Sequence, residues 1–135
     1  MNKLKGASFF AGVGGIDKGF EPICNTIYAN EYNEKAAITF EANFPIKVDV
    51  RDIRDVKAEE VPDVDIIMGG FPCQAFSHAG KMKGFDDTRG TLFFDVARIL
   101  NDKKPKYFLL ENVRGLITHD KGNTYKTIEK TLTDI

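Results

Sequence analysis

Short apolar runs that end at glycine or acidic turns, separated by stretches of helical periodicity, recur along this chain and confine it to alternating strands and helices. Leu4 to Phe10 reads as a strand entering the glycine turn AGVGG at 11–15, with a short helix from Ile16 to Phe20. Thr26 to Ala29 gives a second strand. Asn33 is placed to cap a helix carrying Ala36, Ala37, Phe40 and Phe44 on or near one face, which Pro45 ends before a third strand near Lys47 to Val50. Val64 to Met68 is a buried fourth strand because it is β-branched and stops at Gly69-Gly70. Thr91 to Lys104 repeats Leu92, Val96, Ile99 and Leu100 at helical spacing, Tyr107 to Leu110 is a fifth strand, and Tyr125, Ile128, Leu132 and Ile135 mark a last amphipathic helix. Such an order predicts an α/β fold, a doubly wound and mostly parallel sheet with helices on both faces.

With 135 residues and 42% hydrophobic content, one domain with a real core is expected, and no repeat or linker divides it. No apolar run approaches the ~20 residues that cross a bilayer, and the N-terminus lacks a signal-peptide pattern, so a cytoplasmic protein without membrane contact is expected. Cys24 and Cys73 belong to no C-x-x-C pair, which argues against structural zinc and disulfides. The net charge of -1 is unlike that of a self-sufficient nucleic-acid-binding domain. Acidic side chains outnumber basic ones in residues 1–80 and the balance reverses in 81–135, so a cationic ligand suits the first part and phosphate the second.

Candidate chemistry collects at strand ends, where open α/β sheets bind their ligands. The turn formed by Gly12, Gly14 and Gly15 departs from the dinucleotide spacing G-x-G-x-x-G, and either a nucleotide-like ligand or plain packing accounts for it. Glu31, at the end of the second strand, stands where an acid reaches ribose hydroxyls, and the pair favours an adenosine-containing ligand. Asp52 and Ile53 follow the third strand, as an acceptor for an adenine amino group and a wall for the ring, or as ordinary loop residues. Cys73 sits in the glycine- and polar-rich loop GGFPCQ after the fourth strand, stiffened by Pro72, whereas Cys24 reads as a buried small hydrophobe. Glu111, after the fifth strand, pairs with Cys73 as acid with nucleophile, or is a structural acid bound to neighbouring amides.

In order along the chain, FAGVGG, Asn30-Glu31, Asp52-Ile53, GGFPCQAFS, GKMKGFDDTRGTLFFD and ENV resemble the motifs of bacterial restriction-modification DNA (cytosine-5) methyltransferases over nearly the whole length. The resemblance implies a Rossmann-like methyltransferase fold whose cofactor, S-adenosylmethionine, is contacted by Phe10, Glu31, Asp52, Ile53 and Leu92 around the turn of Gly12, Gly14 and Gly15. It implies that Cys73 attacks C6 of a flipped cytosine in duplex DNA while Glu111 holds N3 and N4 and supplies a proton. Pro72 and Val113 would wall the base pocket, and Ser77, Lys81, Lys83 and Arg89 would meet phosphates or bases from a loop that closes over DNA; a solvated charged loop is the bland alternative.

The family's later arginine motif, target-recognition domain and final segment are absent, and the chain stops in its last helix without a stop signal. The fold is therefore expected to be incomplete on its C-terminal side, residues 1–135 being a partial catalytic domain inactive alone. A complementing C-terminal polypeptide, or self-association, is expected to cover the open sheet. Competing readings are a tRNA cytosine-5 methyltransferase, a non-catalytic module that binds S-adenosylmethionine or assembles with another subunit, and, more remotely, a hydrolase using Cys73 and His78.

Overall fold

The computed structural model of the chain describes residues 2–72 and 92–135. Four strands, β1 (Leu4–Phe9), β2 (Cys24–Asn30), β3 (Ile66–Gly69) and β4 (Tyr107–Leu110), form one sheet in the order β2-β1-β3-β4. Every pairing is parallel. The helices α1 (Gly15–Phe20), α2 (Glu34–Asn43), α3 (Leu92–Lys103), α4 (Gly115–Thr118) and α5 (Asn123–Thr133) make the crossovers and the flanks. No helix among the described residues is long and apolar enough to cross a membrane.

Alternation along the central strands assigns the two faces. Ala7 and Phe9 of β1 and Ile67 of β3 share a buried cluster with Val96, Ile99 and Leu100 of α3. The intervening residues point the other way: Ile66 and Met68 pack with Cys24, and Ile16 and Phe20 of α1 lie against them. A Cβ at Gly6 would come within 2.6 Å of the Cys24 sulfur, so β1 and β2 meet there too tightly for any side chain. The pairing of β1 with β2 slips by one residue between Gly6 and Ala7. That slip turns Tyr28 toward the ring of Phe9, 5.7 Å between centroids, and Ala29 toward Ala37 and Phe40 of α2.

The Asn33 cap forms as expected, its side chain accepting from the Ala36 amide at 3.0 Å. Ala37 and Phe40 bury the inner face of α2, which closes before Pro45. The expected third strand at 47–50 is corrected to one parallel bridge, Asn30 to Asp49. Side chains divert its backbone groups: Glu41 accepts from the Val48 amide at 2.9 Å, and the Asn30 amide donates to the carbonyls of Asp49 and Arg51, each at 2.9 Å. Two short 3-10 turns, Ile53–Asp55 and Ala58–Glu60, follow where no element was expected, as do α4 and a turn at His119–Gly122. The last helix is centred as expected on Tyr125, Ile128 and Leu132, while Ile135 lies beyond its end.

Candidate active site

Phe10 leaves β1 with φ 50°, a left-handed conformation that costs a non-glycine residue roughly 1–2 kcal/mol. This bend swings the chain over the carboxyl end of the sheet into the glycine turn. Gly12 is also left-handed, and its amide donates to the Glu31 carboxylate at 3.2 Å. The other Glu31 oxygen accepts from the Asn33 amide at 3.3 Å, so one acid ties the β1 turn to the start of α2. Gly14 has φ 92°, and a Cβ there would lie 2.4 Å from the Phe44 ring and 3.0 Å from that of Phe40. Its requirement is therefore packing against α2, the plain alternative for this turn; Gly15 opens α1 with nothing within 4 Å of an added Cβ.

Behind the turn, Asp17 of α1 is buried and accepts from the Ser8 hydroxyl at 2.9 Å and the Thr26 hydroxyl at 2.6 Å. These two bonds fasten α1 to β1 and β2, satisfying a carboxylate that burial would otherwise penalise.

A cavity of about 300 Å³ opens beside this turn. Phe10, Glu31, Asp52, Ile53 and Leu92 all line it, together with Pro72, so residues from five separate segments converge on one space. Ile53 is buried and joins the core below, whereas Asp52 is half-buried with its carboxylate at the rim. Arg54 meets that carboxylate through Nε at 2.9 Å and Nη2 at 2.7 Å, and the guanidinium holds the Asp52 carboxyl below its usual value. Asn30, Tyr32, Arg51 and Arg54 also line the cavity and were not singled out as separate cofactor contacts by sequence. Arg51 is committed elsewhere, to Asp49 at 2.7 Å and Glu60 at 3.2 Å. The only available signal for Arg54 was its spacing from Asp52, which is too common to stand out.

The second group of candidates converges at the ends of β3 and β4. Gly69 pairs with Leu110, and the Glu111 amide donates to the Gly69 carbonyl at 2.9 Å. A Cβ at Gly70 would lie 2.9 Å from the Glu111 carboxylate, which places that carboxylate directly over Gly70. Glu111 is exposed, and no hydrogen bond reaches its carboxylate among the described residues. Asn112 donates to the Phe71 carbonyl at 3.0 Å, locking the ENV segment to the backbone that leads into Pro72. Val113 lines a separate cavity of about 510 Å³ with Phe71 and Asn112, so Pro72 and Val113 are not brought to one wall among the described residues. Cys73, Ser77, Lys81, Lys83 and Arg89, with His78 of the remote hydrolase reading, lie outside the described residues.

A solved structure of Schizosaccharomyces pombe Dnmt2 methyltransferase superposes on 96% of this chain and 40% of its own with a TM-score of 0.73 at 18% identity, a likeness of fold. A putative RNA methyltransferase from Pyrococcus horikoshii does so with a TM-score of 0.61, over 98% of this chain and 57% of its own, at 15% identity. In sequence, the chain is 52% identical over 132 residues to the type II methyltransferase M.Bsp6I of Bacillus sp. (strain RFL6), covering 96% of this chain and 42% of that relative. It is 48% identical over 142 residues to M.NgoBV of Neisseria gonorrhoeae, covering 100% of this chain and 34% of that one. The chain thus spans 34–42% of the length of these relatives. The family model for C-5 cytosine-specific DNA methylase matches residues 4–135, and the chain belongs to that family.

Proposed function

We propose that the chain is the cofactor-binding and catalytic portion of a DNA (cytosine-5) methyltransferase, acting on duplex DNA together with a polypeptide that supplies the remainder. The observation that carries this reading is the convergence of Phe10, Glu31, Asp52, Ile53 and Leu92 on one cavity at the carboxyl end of the sheet. The donor set fits S-adenosylmethionine: an acid at the ribose side, an acid and a buried aliphatic group at the purine side, and aromatic carbon between. When bound, that cofactor supplies an electrophilic methyl group.

The chain's own residues prepare the acceptor. C5 of cytosine is a weak nucleophile, so the Cys73 thiolate forms a bond to C6 while Glu111 delivers a proton to N3, and the resulting enamine carries its electron pair at C5. Loss of the C5 proton to solvent after methylation returns that pair to the ring and expels the thiolate, and N3 gives its proton back to Glu111. Glu111 is exposed above Gly70 and fixed by its own backbone bond to Gly69, a placement that leaves its carboxylate open to a base drawn out of the duplex. Asn112 anchors the backbone two residues before Cys73, keeping the two segments in step.

The test is incubation of the chain, with and without a polypeptide supplying the C-terminal portion, with labelled S-adenosylmethionine and duplex DNA containing 5-fluorocytosine. A covalent DNA adduct that needs the added polypeptide and disappears in Cys73→Ala is expected. Cofactor binding with no adduct in any combination rejects the methyltransferase reading for this chain and leaves a binding module.

A further inference from the structure

Asp52 lines the cofactor cavity with its carboxylate already engaged. Oδ1 accepts from the Arg54 backbone amide and from Nε, each at 2.9 Å, and Oδ2 accepts from Nη2 at 2.7 Å. A carboxylate offers about four acceptor positions, so Oδ1 is full and Oδ2 keeps one. The Arg54 side chain is 56% exposed, and an ion pair so open to water adds little to folding. Yet both partners face the same cavity, where a planar two-point grip fixes the orientation of the acid. Arg51, the other guanidinium at this rim, is held by Asp49 and Glu60 and does not compete for Asp52.

We propose that Arg54 is a positioning residue for the purine of the cofactor: by gripping both oxygens of Asp52 it leaves a single oriented acceptor, which selects a ring bearing an exocyclic amino donor over one bearing a carbonyl. The proposal rests on the reading that this cavity holds S-adenosylmethionine. Removing the Arg54 side chain leaves its backbone amide on Oδ1, so the carboxylate stays in place but turns about one contact and its second oxygen fills with water. Selectivity then falls because adenine loses a preorganised acceptor, while the carbonyl-bearing ring had none to lose.

The measurement is calorimetric binding of S-adenosylhomocysteine and S-inosylhomocysteine to the wild-type chain, Arg54→Ala and Arg54→Lys. The wild-type chain is expected to prefer the adenine compound by roughly 10-fold or more. In Arg54→Ala that ratio falls about 5-fold, through weaker binding of the adenine compound alone. Arg54→Lys stays close to Arg54→Ala, since an ammonium cannot reproduce the planar grip. A ratio unchanged in Arg54→Ala, or restored by lysine, overturns the proposal and leaves the cofactor site intact; so does a wild-type chain that binds both compounds equally. A wild-type chain that binds neither compound overturns the cofactor-site reading itself and this inference with it.

Discussion

Gly14 shows how much a single missing Cβ determines here. Its left-handed backbone and the phenylalanine rings 2.4 and 3.0 Å from an added Cβ act together, so Gly14→Ala meets both a conformational and a steric cost. Urea unfolding of Gly14→Ala is expected to show a loss of about 2–4 kcal/mol, summed from those two costs, whereas a loss below ~1 kcal/mol means that α2 shifts easily and the contact is slack. At this scale the sequence was informative wherever a residue's type and its distance from a strand end were enough. Glu31, Asp52 and Ile53, which line one cavity, were singled out that way, and the Asn33 cap formed as the sequence led us to expect. What depends on a rotamer was not legible: the Arg54 grip on Asp52, the two hydroxyls that satisfy Asp17, and the left-handed turn at Phe10. None of these leaves a periodic or compositional trace.

The element that shapes the Asp52 side of the cavity is a 3-10 turn of three residues, Ile53–Asp55, too short to hold itself. Arg98 of α3 holds it from across the core, donating to the Val56 carbonyl at 2.9 Å and the Ile53 carbonyl at 3.1 Å while Asp95 steadies the guanidinium at 3.2 Å. Leu92 begins the same helix, so α3 both lines the cavity and braces its opposite wall. Arg98→Met keeps much of the side-chain bulk but removes both carbonyl bonds. It is expected to weaken S-adenosylhomocysteine binding about 5-fold with a stability loss of about 1–2 kcal/mol, checked by calorimetry and chemical denaturation. Equal affinity in the two proteins would show that the turn keeps its shape unaided. The strand misjudged at 47–50 belongs to this scale as well. Ile46, Val48 and Val50 alternate with polar residues as a strand does, yet Glu41 and Asn30 take the backbone bonds that a ladder needs, and both compete from outside the window in which periodicity is read.

Across the whole molecule, the inner strands β1 and β3 are covered on both faces, and the sheet ends at β4, whose outer edge pairs with no strand among the described residues. Tyr107 and Phe108 are 56% and 48% exposed, and the 510 Å³ cavity beside them is lined by Leu109, Leu110, Ile117 and Tyr125, among others. An edge of this kind favours strand addition. On the function proposed above, in which a further polypeptide supplies the remainder, β4 is the edge at which that polypeptide is expected to add. Hydrogen exchange at 107–110 is expected to slow on adding that polypeptide, and Phe108→Glu to weaken the association at least 10-fold by placing a charge on the apolar contact. Unchanged exchange at β4 on complex formation would place the interface elsewhere. The parallel alternation of strands and helices and the two-faced core were legible from alternation and turn chemistry, because they follow from long-period patterns rather than from individual contacts, whereas the strand order β2-β1-β3-β4 leaves no such pattern. The tight meeting of Gly6 with Cys24 has a practical consequence of another kind. That thiol is sealed inside the sheet and pushed above its ordinary pKa by burial, so it resists alkylation while the chain is folded. The chain has two cysteines, so any maleimide the native protein takes up has one other sulfur to go to, and the extent of labelling of the folded chain is a reading of Cys73 alone.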